Sequence, residues 1–243
     1  MKKNEDAFGQ AMYDYHRGRR VGSEIVERDD GFIEVTGGPA TYFREYPDWA
    51  GFERRAIKHV AGRVLDVGCG AGRVALYLQE RGWEVVGIDN SPLAIRTCRL
   101  RGLRDARTMS VTGVNSRLGP LDTIVMFGNN FGLVGDRKRA KWLLRRFHGM
   151  TSARGRILAQ STDPHQTKDP NHLQYHAQNR RRGRMPGQVR IRVRYRKLAT
   201  PWWDLLPVSK EEMQELLRDT GWSIQKFVDS NGPSYVAVLR KDG

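Results

Sequence analysis

The stretch VLDVGCGAG, Val64 to Gly72, with VVGID at Val85 to Asp89 behind it, decides the fold of this 243-residue chain. A β-branched run enters a loop with glycines at Gly68, Gly70 and Gly72, and a helical pattern begins at Arg73. A second apolar run then ends in the carboxylate of Asp89. The physical reading is a parallel strand, a glycine turn, a helix and a second strand whose acid holds ribose hydroxyls. The glycines let the backbone pass close under a ligand with no Cβ in the way. A dinucleotide fingerprint would need a further glycine where Arg73 stands. The pattern is therefore Asp-x-Gly-x-Gly-x-Gly, without the third fingerprint glycine that seats a pyrophosphate.

Outward from this motif the chain alternates strand and helix. Strands are expected over 63–67, 83–89, 106–111, 121–127 and 156–160. Helices are expected from Arg73 to Arg81, closed by Gly82, from the Ser91-Pro92 cap to Gly102, and from Asp136 to Gly149. Ser209 and Glu212 form a capping box for a helix ending at Gly221, and 222–228 with 235–239 read as a closing strand pair. Such alternation predicts an α/β fold with a doubly wound, mostly parallel sheet and helices on both faces. Ahead of the motif, residues 1–60 hold a short helix in DAFGQAMYDYHRG, a hairpin around Asp29-Asp30-Gly31, and a helix near Phe52 to Val60. Residues 61–243 form the main domain, interrupted by an insertion over 161–208. That insertion starts polar and turns basic. It then alternates Val189, Ile191, Val193 and Tyr195 on one strand face with Arg190, Arg192, Arg194 and Arg196 on the other. TPWWDLLPV is a candidate partner strand for it.

The glycine motif and Asp89 together closely resemble class I S-adenosylmethionine-dependent methyltransferases. The resemblance covers roughly residues 60–160 and 209–240, and it implies S-adenosyl-L-methionine as cofactor. It also implies that residues 1–60 fold over the cofactor as a lid. By position, Asp66, Gly68, Cys69 and Gly70 would meet the amino acid end of the cofactor. Asp89 would accept from both ribose hydroxyls, and Asn90 would lie beside the purine. Ser110 and Val111 would form the adenine wall, although the family usually shows an acid there. Cys69 reads as a small residue packed beneath the cofactor. MFGNNFGL, Met126 to Leu133, lacks the Asp/Asn-Pro-Pro-Tyr/Phe signature of enzymes that methylate base or amide nitrogens. It looks more like the Gly-Asn-x-Phe segment of glycine N-methyltransferase-like enzymes, with Gly128 on the cofactor and Asn129 orienting the acceptor. The alternative for Asn129 is a turn residue. A general base is required only if the acceptor arrives protonated, and His16, Tyr15, Asp163 and His165 are candidates.

A net charge of +15, with its Lys/Arg excess falling between residues 61 and 208, favours anionic partners. The leading expectation is a small-molecule methyl acceptor. The alternatives are an RNA or protein substrate held by the basic strand 187–197, or a non-catalytic cofactor binder. No Cys/His cluster has metal spacing, so no metal is expected. No apolar run reaches a membrane span, and two cysteines with no apolar signal region point to the cytoplasm. Oligomeric state is not readable from these features.

Overall fold

A computed structural model of the protein describes residues 5–242. In chain order, α1 (Ala7–His16) precedes the hairpin strands β1 (Ile25–Arg28) and β2 (Ile33–Val35), and then α2 (Gly51–Ala56). The motif region gives β3 (Val64–Val67), α3 (Arg73–Glu80), β4 (Val85–Asp89), α4 (Pro92–Leu100) and β5 (Ala106–Thr108). There follow β6 (Leu121–Met126), α5 (Arg137–Met150), β7 (Thr151–Thr162) and α6 (Pro170–Arg181). The chain closes with β8 (Val189–Tyr195), β9 (Leu198–Ala199), β10 (Trp203–Leu205), α7 (Lys210–Leu217), β11 (Trp222–Asp229) and β12 (Ser234–Lys241).

Seven strands form one sheet in the order β11-β12-β7-β6-β3-β4-β5, the mostly parallel α/β sheet the alternation predicts. The pairs β4–β5 and β6–β7 are parallel, whereas β12 runs antiparallel to both its neighbours. A second sheet runs β10-β8-β1-β2, with β9 added on β8. No helix among the described residues is long and apolar enough to cross a membrane.

By compactness the chain divides into two units. The first gathers the described residues up to Trp49, Leu65–Val114 and Arg190–Trp203. Here β3 and β4 are buried, β-branched runs, as strands of a sheet covered on both faces must be. Helix α4 starts where sequence places it, with Ser91 Oγ accepting from the Ala94 amide at 2.9 Å and Pro92 in the first turn. One further group joins this cap. The buried Asp6 carboxylate caps α1 by accepting from the Gly9 amide at 3.0 Å, and it also accepts from Ser91 Oγ at 2.6 Å and the Leu93 amide at 3.0 Å. A single carboxylate thus serves the N-termini of two helices, where orphan amides and positive dipole ends converge. The pinned α1 buries Met12 against Ala71 of the glycine loop and Ala94 of α4.

The same unit contains the alternating strand. In β8 the Ile191, Val193 and Tyr195 side chains are buried, as the alternation predicts. Its partner across one edge is β1, in antiparallel register Ile25↔Arg194 and Glu27↔Arg192. The TPWW segment supplies β10 beside it, as expected. Sequence did not reveal that the insertion completes the sheet begun by the amino-terminal hairpin.

The second unit comprises Ala50–Val64, Asn115–Val189 and the residues from Asp204 onward. Helix α5 buries Leu143, Leu144 and Phe147, and the capping box of α7 is present in both halves. Trp222 Nε1 donates to the Leu144 carbonyl at 2.8 Å, and the Tyr235 hydroxyl donates to the Val208 carbonyl at 2.8 Å. Three boundaries differ from the sequence reading. Strand β7 runs the 12 residues from Thr151 to Thr162, because pairing with both β6 and β12 extends it at each end. Strand β5 stops at Thr108, and Ser110 instead caps a 3-10 turn over Val111–Gly113. The polar stretch of the insertion forms α6, capped by Asp169 with Pro170 in its first turn.

A Cβ placed on Gly9 would come within 2.1 Å of Ser91 Oγ and 2.5 Å of Asp6 Oδ1. Gly9→Ala should therefore force the shared cap apart and destabilise the protein by about 1–3 kcal/mol, the usual range for overpacking. Urea unfolding midpoints of the two proteins check this, and an unchanged midpoint would show that the cap has room to give.

Candidate functional site

In the first unit the chain between β3 and α3 turns through Gly68, Gly70 and Gly72, with φ of 69°, 54° and 85°. Those angles are in the left-handed region that only glycine adopts without strain. The Gly68 and Cys69 amides both donate to the Ile88 carbonyl, at 2.8 and 3.0 Å, which seats the loop across the end of β4. Cys98 Sγ donates to the Gly70 carbonyl at 3.0 Å and holds the loop from α4.

Asp89 ends β4 beside this loop. Its Oδ2 accepts from the Gly70 amide at 3.0 Å and its Oδ1 from the Ser91 amide at 2.9 Å. Each oxygen keeps a further lone pair, so the carboxylate can still accept from a vicinal diol. Burial raises its pKa, and the Ser91 and Gly70 amides work against that rise. Asp66, inside β3, is 3% exposed, and its Oδ2 is buried with no hydrogen-bond partner. Burial pushes its carboxyl up to about 7, opposed by Arg73 and the Ala75 amide. A carboxylate oxygen left bare in a buried site suits a cationic or donor group brought by a ligand.

Cys69 is buried, with its sulfur 3.9 Å from Cys98 Sγ. It lies against Gly87, where a Cβ would stand 3.2 Å from that sulfur. Its hydrogen-bonded neighbour Cys98 and burial hold the thiol well above its usual range, so it packs as a small core residue and is no nucleophile. Asn90 is exposed just beyond Asp89. Ser110 and Val111 lie in the 3-10 turn rather than in a strand, and the Ser110 hydroxyl is within 3.0 Å of Thr112 Oγ1. The Tyr42 hydroxyl is held high by burial and by the charges of Glu24 and Asp89. His16, in the last turn of α1, stacks on Phe43 at 6.4 Å.

The other candidates belong to the second unit. Gly128 has φ 69°, and its amide donates to Gln160 Oε1 at 2.8 Å. Asn129 is left-handed with φ 62°, and its Oδ1 accepts from Thr162 Oγ1 at 2.9 Å. Asp163 spends both carboxylate oxygens on its own turn, accepting from the His165 amide at 2.9 Å and Gln166 Nε2 at 3.1 Å. His165 faces Glu212 at 3.2 Å. No cluster of metal-ligating side chains occurs among the described residues.

Comparison with known proteins agrees with this geometry. The family described as a methyltransferase domain matches residues 64–155. A solved S-adenosylmethionine-dependent methyltransferase from Bacteroides fragilis, in complex with S-adenosyl-L-homocysteine, is 25% identical. The match covers 100% of this chain and 98% of that one, with a TM-score of 0.85. Residues 64–155 thus carry a methyltransferase domain, and the whole chain shares the fold of a solved S-adenosylmethionine-dependent methyltransferase. Its cofactor is S-adenosylmethionine, and the bare Asp66 oxygen, the half-used Asp89 carboxylate and the glycine loop fit that group. A methyltransferase of Streptomyces caelestis shares the fold at 14% identity, covering 84% of this chain and 98% of its own, with a TM-score of 0.60. Among curated relatives, the 2-heptyl-1-hydroxyquinolin-4(1H)-one methyltransferase of Mycobacteroides abscessus is 39% identical over 77 residues. That alignment takes in 28% of this chain and 34% of the relative, so the chain spans about a third of the relative's length.

The raised carboxyl of Asp66 sets a pH dependence in the ligand-free protein. A folded-state pKa near 7 against about 4 unfolded means that the folded form holds the proton longer. This contribution to stability is fully present below about pH 4 and is lost as pH rises toward 7. Asp66→Asn should remove it. Urea unfolding at intervals from pH 4.5 to 7.5 should therefore show the wild type losing stability relative to the variant as pH rises. Parallel profiles would mean that Asp66 ionises normally.

Proposed function

We propose that the protein transfers the sulfonium methyl of S-adenosylmethionine to a small-molecule acceptor by in-line displacement. The cofactor supplies the electrophile when bound. The protein's task is to bind, align and exclude water. In this reading Asp89 receives the ribose diol, and Asp66 with Gly68, Cys69 and Gly70 receives the amino acid end. Asn90, Ser110 and Val111 flank the purine, and Gly128 approaches the cofactor from its own loop. Asn129 orients the acceptor. Because its carbonyl oxygen already accepts from Thr162, the group it offers is the amide NH2, which suits an acceptor oxygen. His16 and Asp163 are weaker candidates for a base, the first stacked on Phe43 and the second spent on a turn.

One observation carries the preference for a small molecule. The arginine face of β8, which would have to grip a polyanion, is largely engaged inside the protein. Arg192 makes a two-pronged pair with Glu27 at 2.9 Å and stacks over Trp202 at 4.7 Å. Arg194 reaches the same carboxylate at 3.3 Å, and Arg196 pairs with Asp14 at 3.1 Å. Glu27 is held below the usual carboxylate range by the Arg192 hydrogen bond, as a paired acid should be. The printed substrate of the M. abscessus relative is also a small molecule, which supports the same class. Two free, buried cysteines fit the cytoplasm, which we include in the proposal.

The test is labelled-methyl transfer to a metabolite extract and to a structured RNA pool in parallel. Incorporation into the extract alone is expected, and incorporation into RNA that survives physiological salt would overturn the proposal. Arg192→Gln with Arg194→Gln should leave RNA binding feeble in both proteins. A marked loss of affinity with a flatter salt dependence would instead show a phosphate-binding face. Asp89→Ala should weaken cofactor binding by about 2–4 kcal/mol, two charge-assisted bonds with partly shared losses, as calorimetry reads it. Asn129→Ala should lower turnover on the acceptor found while cofactor affinity stays put. Parallel loss of both would place the amide on the cofactor.

A further inference from the structure

A cavity of about 250 Å³ opens in the second unit where β7 begins and β12 ends. It is lined by Arg154 and Arg156 of β7, Gln225 of β11, and Arg240 and Lys241 of β12, with no acid in its wall. Among the described residues none of these four cations is in an ion pair. Arginines elsewhere in the chain find carboxylates even on the surface, as Arg107 does on Asp105 at 2.7 Å and Arg137 on Glu215 at 3.4 Å.

The backbone gathers these charges against their own repulsion. Arg156 and Arg240 are register partners in the antiparallel pair of β7 and β12. Facing side chains in such a pair have Cβ atoms about 5 Å apart, and like charges there destabilise the sheet. Gln225 falls at the register shift between Ile224 and Lys226, a bulge of the kind that re-aims a side chain. Between the two β7 arginines, a Cβ on Gly155 would stand 2.6 Å from the Thr151 Cβ, so only glycine lets the strand turn this tightly there.

The cations keep capacity for a ligand. Arg156 Nη1 donates to the His59 carbonyl at 3.0 Å and Arg240 Nε to Ser223 Oγ at 3.3 Å, so each guanidinium keeps most of its donors. Lys241 Nζ donates to the His148 and Thr151 carbonyls at 2.7 and 2.9 Å, which fixes its position. Arg154 is exposed and makes no hydrogen bond among the described residues. Asp122, the acid that feels Arg156, accepts instead from the Arg63 amide at 2.9 Å and the Ser152 hydroxyl at 2.7 Å. The His59 imidazole is held below its usual range by burial and then by the Lys226 and Arg156 charges, so the positive field extends past the rim.

We propose that this cleft binds the diphosphate group of a small molecule. A guanidinium fork matches the oxygens of a phosphate, and two facing arginines can take one phosphate each. The ligand would supply the counter-charge that the chain withholds. The cavity is a little smaller than the pockets of about 300–1,000 Å³ that enclose whole drug-sized ligands, which suits a charged head group with the rest of the molecule outside. Thr162, which holds Asn129, lies at the other end of β7, roughly 20 Å from Arg156 at about 3.3 Å per residue. The site is therefore separate from the proposed acceptor residue and stands whatever that acceptor is.

The test is calorimetry of the full chain with S-adenosylhomocysteine present, in magnesium-free buffer at physiological salt. The probes are pyrophosphate, malonate and a single-stranded oligouridylate. Pyrophosphate is expected to bind at least tenfold tighter than either of the others. Arg154→Gln, a change at an exposed side chain that the fold does not use, should weaken it at least fivefold. Arg240→Gln should weaken it tenfold or more and, by removing one of two facing charges, raise the urea unfolding midpoint of the ligand-free protein. No pyrophosphate binding, equal or tighter binding of malonate, or indifference of pyrophosphate to either variant would overturn the proposal. Tighter binding of the oligouridylate would overturn it as well, by making the cleft a nucleic-acid contact. A lowered midpoint for Arg240→Gln with pyrophosphate affinity unchanged would show that the arginines serve the sheet instead.

Discussion

The arrangement of the first unit hangs on the carboxylate of Asp6. It fills the cap of α1 and braces the cap of α4 at the same time, so the two helices cannot move independently without baring a buried charge. With α1 fixed there, Met12 reaches the glycine loop and Asp14 is carried to the far end of the helix. Asp14 then gathers Tyr195 and Arg196, which ties in the strand contributed by the insertion. The cofactor motif, the amino-terminal helix and a strand from late in the chain are joined by two acids on one helix.

Five acids of this unit show how environment assigns different work to one functional group. Asp6 is consumed by helix ends, and Asp14 by arginines. Asp89 is half consumed, one amide to each oxygen, which fixes its direction and leaves capacity toward a ligand. Asp66 and Glu24 each keep a bare buried oxygen. Burial raises the carboxyls of both, for Asp66 against the pull of Arg73 and for Glu24 against the Thr36 hydroxyl and its own amide. In the proposed function the bare oxygen of Asp66 is the one that meets the cofactor, whereas Asp6 and Asp14 hold the fold together.

Most of the fold was legible because its signals are local. The Asp-x-Gly-x-Gly-x-Gly turn, the Ser91-Pro92 cap and the Ser209–Glu212 box each specify geometry within a few residues, and each is found where its residues predict. Helix α6 escaped because it is polar on nearly all sides, so no apolar stripe announces it. Its Asp169-Pro170 start repeats the logic of Ser91-Pro92 and could have been read. Strand β5 was drawn too long because Ser110 and Val111 continue a β-prone run, and the Ser110 hydroxyl diverts the backbone into a turn. Asp66 and Asp89, the acids proposed to meet the cofactor, were readable from spacing. Glu24 was not, since nothing in its neighbours distinguishes a buried glutamate from a solvated hairpin charge. The pairing of β1 with β8 was equally hidden, because strand partners far apart in sequence leave no mark on either one.

That distant pairing sets an order of events when the chain folds. Ile25 cannot meet Arg194 until nearly the whole chain exists, and closing so long a loop is slow compared with forming the local β–α units between them. During synthesis the β1–β2 hairpin would wait as an isolated two-stranded ribbon, which is marginal in water, with Ile33 and Val35 exposed on it. Asp14 would wait too, short of Tyr195 and Arg196. The strands and helices of the cofactor motif can consolidate first, and the amino-terminal segment, though made earliest, becomes one of the last parts to be completed.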